Sequence, residues 1–209
     1  MTYRTIKQAG QHELIIKKSC FITQLQPIQS VDDAQAFIAA VKKTHYKANH
    51  NVSAYLLGDD DHIQRATDDG EPSGTAGVPM LTSLQQLQLH DVVAVTTRYF
   101  GGIKLGAGGL IRAYADSVVE AVHAVGIIQR VPMQAVTIHI TYAQLGAVQH
   151  WLDEQAITPS NIVYAENVTV YCAVDETFLP TLQQALTDLL AGQVTIEIGD
   201  AIAGWQDVE

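Results

Sequence analysis

The final third of the chain alternates its hydrophobic residues in an order that few topologies satisfy. Val136, Ile138 and Ile140 interleave with Thr137 and His139, a two-residue period that predicts a strand with one buried face. Thr141 and Gln144 have the spacing of a capping box for a helix carrying Leu145, Val148 and Leu152. Strands are expected from about Ser160 to Tyr164 and from Val168 to Val174. A second helix is expected from about Phe178 to Leu190, with Pro180 in the first turn, where a missing amide costs nothing, and Gly192 at its end. Val194, Ile196 and Ile198, alternating with Thr195 and Glu197, close the series. The order β-α-β-β-α-β is that of the ferredoxin-like split unit.

That unit accounts for residues 130–209, and the chain of 209 residues exceeds a typical domain of about 100–150. A separate first domain over residues 1–129 follows, joined near Arg130 and Pro132 without a long linker, repeat or low-complexity tract. In it Leu14, Ile16, Cys20 and Ile22 indicate two strands meeting near Lys17 to Ser19. Ser30 and Asp33 start a helix whose buried face is Ala34, Phe37, Ile38 and Val41 and whose last turn holds Lys42 and Lys43. Val52 to Leu57 and His62 to Ala66 form a hairpin across Gly58 to Asp61, and a helical pattern passes through Leu84 and Leu87. The unbroken run Val92 to Val95 is the pattern of a strand buried on both faces. A helix from about Gly108 to Val125 lines Leu110, Tyr114, Val118 and Val122 on one face and Arg112, Asp116 and Glu120 on the other.

Charge divides as the domains do. Residues 1–130 hold all 12 Lys and Arg with 12 Asp and Glu, whereas residues 131–209 hold no Lys or Arg and 10 Asp and Glu, so the second part carries the whole net charge of −10. Such a surface repels phosphate backbones but can meet a basic protein. The N-terminal run has no apolar signal core and no segment approaches the roughly 20 residues of a membrane helix, so a cytoplasmic location and no membrane partner are expected. Cys20 and Cys172 fall in different domains without CxxC spacing and are read as buried, reduced thiols.

Two Gly-rich loops each precede a predicted helix: Gly70, Gly74 and Gly77 in the first, and Gly101, Gly102, Gly106, Gly108 and Gly109 in the second. Amides at a helix start attract anions, glycine admits a close approach, and Arg98, Lys104 and Arg112 add positive charge. Tight turns without a ligand explain the same glycines. Neither loop contains a P-loop or a complete G-x-G-x-x-G. Asp68, Asp69 and Glu71 can hold a hard cation or share a proton, or form a solvated turn. His45 and His50 lie off a common helical face, which disfavours zinc, and His50 is better placed to donate hydrogen bonds to the loops. Ser73 lies outside any G-x-S-x-G. Lys42 to Asn51, with Tyr46 inside it, is the one basic run. It suits RNA contact, and equally a helix ending in lysines.

The runs D-D-G-E-P-S-G-T-A-G-V-P, Asp68 to Pro79, and R-Y-F-G-G-I-K-L-G-A-G-G-L-I-R-A-Y, Arg98 to Tyr114, resemble the signature of the YigZ/IMPACT family, and Lys47 to Asn51 fits it too. The resemblance covers essentially the full length. It implies an α+β chain whose first domain resembles domain 2 of ribosomal protein S5, a fold shared with domain IV of elongation factor G. Its second, ferredoxin-like domain is similar to domain V of that factor. The pattern of residues reaches the second topology independently, but not the first. The eukaryotic IMPACT regulator binds a ribosome-associated activator of an initiation-factor kinase. A peptidase label carried by some bacterial members has no support in these residues.

The resemblance therefore implies a noncatalytic protein associated with translation, with the ribosome or a translation-related protein as partner and RNA contact through the first domain only. Its expected contact surface comprises His50, Asp68, Asp69, Glu71, Ser73, Gly74, Thr75, Arg98, Tyr99, Gly101, Gly102, Lys104, Gly106, Gly108, Gly109 and Arg112. No catalytic residue, metal or cofactor is assigned. A site for a small phosphorylated ligand, binding or enzymatic, is the alternative. A third reading leaves the motif to lock the fold and gives the function to an unidentified protein partner. The oligomeric state is open.

Overall fold

In the computed structural model, which describes residues 3–58 and 60–208, the chain divides into two units, one reaching Gln129 and rejoined from Asp207, the other Arg130–Gln206. The first contains β1 (Arg4–Ile6), β2 (Gly10–Ile16), β3 (Ser19–Pro27), α1 (Val31–Thr44), β4 (His50–Leu57), β5 (Ile63–Thr67), α2 (Gly77–Gln86), β6 (Val92–Tyr99) and α3 (Ala107–Val125). Its sheet has the order β2-β3-β6-β4-β5, antiparallel at every step.

The central strand β6 explains the unbroken Val92 to Val95 run. Val92 and Ala94 enter a core shared with Met80 and Leu84 of α2 and Tyr114, Val118 and Val122 of α3. Val93 and Val95 enter a second core with Ala34 and Val41 of α1. Each Val side chain fully buried there contributes about 1.5–3 kcal/mol. Thr23 and Thr96, paired across β3 and β6, satisfy each other at 2.8 Å inside the sheet.

Helix starts and stops follow local chemistry. Ser30 Oγ accepts from the Asp33 amide at 3.1 Å, while the Asp33 carboxylate accepts from the Gln29 amide at 3.0 Å. The β2–β3 turn is Lys17 and Lys18, both in the left-handed region. The expected β4–β5 hairpin forms; Asp59 of its turn lies outside the described residues.

The second unit runs β7 (Ile127–Ile140), α4 (Leu145–Glu154), β8 (Asn161–Tyr164), β9 (Val168–Asp175), α5 (Leu179–Leu189) and β10 (Thr195–Val208), with a 3-10 turn before α5. β9 lies antiparallel between β7 and β8, and β10 also pairs with β7. Val136, Ile138, Val170 and Cys172 pack there with Val148 and Leu152 of α4 and Leu182 and Leu186 of α5.

Three local expectations are corrected. β7 begins at Ile127 rather than Val136 and carries Pro132 inside it: Gly126, at φ 81°, ends α3 and the chain continues extended, with residues 127–129 paired to β1. Thr141 does not cap α4, because its hydroxyl donates to Gln144 Oε1 at 2.9 Å and the pair forms a turn ahead of the helix. Cys20 is only half-buried, since it sits on the less enclosed face of β3, whereas Cys172 is buried and its thiol is pushed up to about 11 by burial. No described helix is long and apolar enough to cross a membrane.

Candidate functional site

Antiparallel register brings the motif residues together at one end of the first sheet. Arg98, near the end of β6, is the Cα partner of Phe21 on β3 and of His50 at the start of β4. Its side chain shares the face of Val92 and Ala94, so it runs towards α3, and the guanidinium lies over Phe21 at 5.3 Å and Phe100 at 5.6 Å from the ring centres.

Glu71 meets it from the loop between β5 and α2. Arg98 Nη1 donates to Glu71 Oε1 at 2.6 Å, and Tyr114 Oη donates to the same oxygen at 2.8 Å. The side chains of Arg98 and Glu71 are 6% and 3% exposed, so the pair is sequestered from solvent. Burial, with Glu71 second, pushes the Tyr114 hydroxyl above its ordinary range and keeps it a donor. Arg98 Nη2 reaches Ser19 Oγ at 3.5 Å, while Arg98 Nε is buried without a hydrogen-bond partner.

The first Gly-rich loop is held by its own acids. Asp68 Oδ1 accepts from the amides of Ala76 and Gly77 at 3.1 and 2.9 Å, and Oδ2 from Gly74 at 2.8 Å, which satisfies the start of α2 from within the chain. Burial alone would raise the Asp68 carboxyl; the three amides outweigh it and hold it low. Burial also acts against Asp69, yet Lys42 at 2.6 Å and the Asn51 amide at 2.6 Å hold it low. Thr75 Oγ1 donates to the Pro72 carbonyl, and Ser73 is exposed. Among the described residues no group of three or more His, Cys, Asp or Glu side chains is placed to hold a metal.

His50 Nδ1 bonds the Asp69 carbonyl at 2.9 Å, which requires the proton on Nδ1 and turns Nε2 towards Glu71 Oε2, 3.8 Å away. Tyr99 leaves the cluster: its hydroxyl pairs with His45 Nδ1 at 2.9 Å.

The second Gly-rich loop is built differently. A Cβ on Gly101 would lie 2.0 Å from the Lys18 carbonyl, so glycine there seats the loop on the β2–β3 turn. Gly102, Gly106 and Gly108 are exposed and Gly109 is half-buried. Gly106, at φ 71°, opens α3 without any side-chain cap. A cleft of about 450 Å³ lies there, bounded by Asn49, His50, Glu71, Arg98, Phe100 and Lys104, with Leu105 and Leu110 as its apolar wall. Lys104 and Arg112 are exposed, and so is Phe100. The structure thus gathers His50, Glu71, Arg98, Lys104 and Gly106 around one space and gives Asp68, Asp69, Gly74 and Thr75 to the support of its wall.

Ser19, Asn49, Phe100 and Tyr114 were not among the expected contact residues. Tyr114 had a usable signal: a Tyr on the buried stripe of a helix needs a polar partner for its hydroxyl. Ser19 had none, because its role depends on the β3–β6 register.

Residues 17–122 match the family model described as Impact N-terminal domain, and residues 138–193 match a domain of unknown function (DUF1949). The chain belongs to the IMPACT family. IMPACT family member YvyE of Bacillus subtilis is 46% identical over 199 residues, covering 95% of this chain and 92% of the relative. IMPACT family member YigZ of Escherichia coli is 39% identical over 141 residues, covering 66% and 69%. The crystal structure of a hypothetical protein superposes with a TM-score of 0.58 at 31% identity, covering 93% of this chain and 96% of that one. The resemblance carried by the Asp68–Pro79 and Arg98–Tyr114 runs is therefore one of membership, and the two-sheet α+β architecture is common to the chain and that solved relative.

Proposed function

We propose that this IMPACT-family chain is a noncatalytic, cytoplasmic protein of the translation system that holds RNA at the α3 cleft of its first unit and meets protein through its second. The observation that carries the reading is the uncapped start of α3 facing a cleft beside exposed Lys104 and Phe100. Free helix-start amides and a lysine favour phosphate, and an exposed aromatic ring favours a base. All 12 Lys and Arg lie within residues 1–130, whereas the acidic remainder repels a phosphate backbone.

Glu71 is tied through Oε1 to Arg98 and Tyr114, and His50 through Nδ1 to the Asp69 carbonyl, bonds that stiffen the cleft wall as a binding surface needs. The fold names belong to the same reading: strand order β10-β7-β9-β8 with two covering helices supports a ferredoxin-like second domain, and the first sheet with α3 supports one like S5 domain 2.

Cosedimentation with ribosomes and separated subunits across a salt series tests the proposal, using wild type and a Lys104→Ala, Arg112→Ala variant. Saturable binding that weakens with salt and with the variant is expected. Absence of binding at low salt contradicts it. A small phosphorylated ligand is the second reading, favoured by a cleft volume inside the range of about 300–1,000 Å³ for ligand pockets. Thermal-shift screening against phosphorylated metabolites separates the two, since a bound ligand raises the melting temperature with its concentration.

A further inference from the structure

We infer that the cleft accepts one unstacked nucleotide, so that the RNA bound here is single-stranded and not duplex. The inference rests on the RNA-binding reading above and deepens it. Phe100 is 43% exposed at the cleft while the Arg98 guanidinium sits 5.6 Å from its ring centre, so the ring is braced by a cation and still offers surface for stacking. Asn49 Oδ1 accepts from the Phe100 amide at 2.8 Å, which fixes the carboxamide and leaves its NH2 to donate to a base edge. Leu105 and Leu110 supply the apolar floor that a base plane needs.

Arg98 lines the cleft and is held in place by Glu71, which keeps the guanidinium fixed beneath the Phe100 ring. Beside this pocket, Lys104 and the α3 amides are placed for the adjoining phosphate.

The loop that ends in Asn49 carries a second exposed ring. Tyr46 is 74% exposed, with the Lys47 ammonium 5.6 Å from its centre. Aromatic rings alternating with cations are a platform for successive bases of a single strand. Bases of an A-form duplex are stacked and paired, and none can enter a cleft of this size without leaving the helix.

Fluorescence anisotropy with a short single-stranded RNA and with the same sequence in a duplex tests the inference at several salt concentrations. The single strand is expected to bind at least about ten-fold tighter. Phe100→Ala should weaken it by about 5- to 100-fold without changing the salt slope, and Phe100→Tyr should restore most of the affinity. Equal affinity for both forms, or an unchanged Phe100→Ala variant, overturns the single-strand inference and leaves RNA binding standing. Absence of binding to either form at low salt removes both. A mononucleotide that competes as well as the strand overturns the polymer and favours a small ligand.

Discussion

Arg98 Nη1 and Tyr114 Oη donate to one and the same oxygen of Glu71, at 2.6 and 2.8 Å, and thereby tie the end of β6, the second turn of α3 and the β5–α2 loop into one buried knot. The carboxylate is shielded from water, so its partners are not interchangeable with solvent. Removing a partner should cost more than an ordinary hydrogen bond.

Tyr114→Phe should destabilise the protein by about 1–3 kcal/mol, and Arg98→Met by about 3–5 kcal/mol, because each leaves Glu71 short of a donor in a dry site. Replacing both charges, Arg98→Met with Glu71→Met, should cost less than the sum of the singles. Urea unfolding of wild type, Arg98→Met, Glu71→Met and the double variant measures this; additive losses would mean that the pair is not coupled.

Asp68 and Asp69 have folded-state carboxyls held below the ordinary value of about 3.9. Their contribution is present in full above that value and is lost as pH falls through the folded values. Wild type should therefore lose stability on acidification below about pH 4 more steeply than Asp68→Asn. Parallel curves of urea midpoint against pH would contradict the role of Asp68 at the start of α2.

Much of this was legible in the sequence, and the limits have physical causes. Period-two alternation and the Val92 to Val95 run marked the strands, because side-chain direction is a local property. The i, i+4 ladder of α3 placed Tyr114 inside for the same reason. What joined Arg98 to Glu71, 27 residues earlier, was strand register, which depends on pairing between distant segments. The two Gly-rich loops read alike in sequence, yet Asp68 closes the first by reaching forward to Gly74, Ala76 and Gly77, while among the described residues no side chain caps α3 at Gly106.

Two neighbouring glycines should respond differently to a methyl group. Gly101→Ala collides with the Lys18 backbone and should cost about 1–3 kcal/mol or more. Gly102→Ala meets nothing within 4 Å and carries only the strain of φ 83°, roughly 1 kcal/mol. Thermal denaturation of both variants orders them; equal losses would remove the close packing at Gly101.

Thiol titration at pH 8 should find Cys172 unreactive in the folded protein and reactive in urea, since burial pushes its thiol up to about 11 and leaves little thiolate. Rapid labelling of Cys172 without denaturant would show that the second core opens readily.

Phosphate held beside the start of α3 would make RNA affinity depend on salt. A plot of log affinity against log salt for a short single-stranded RNA should have a negative slope that becomes shallower by about 0.7 in Lys104→Ala, one phosphate contact fewer. A slope of zero in the wild type, or an identical slope in the variant, would contradict it.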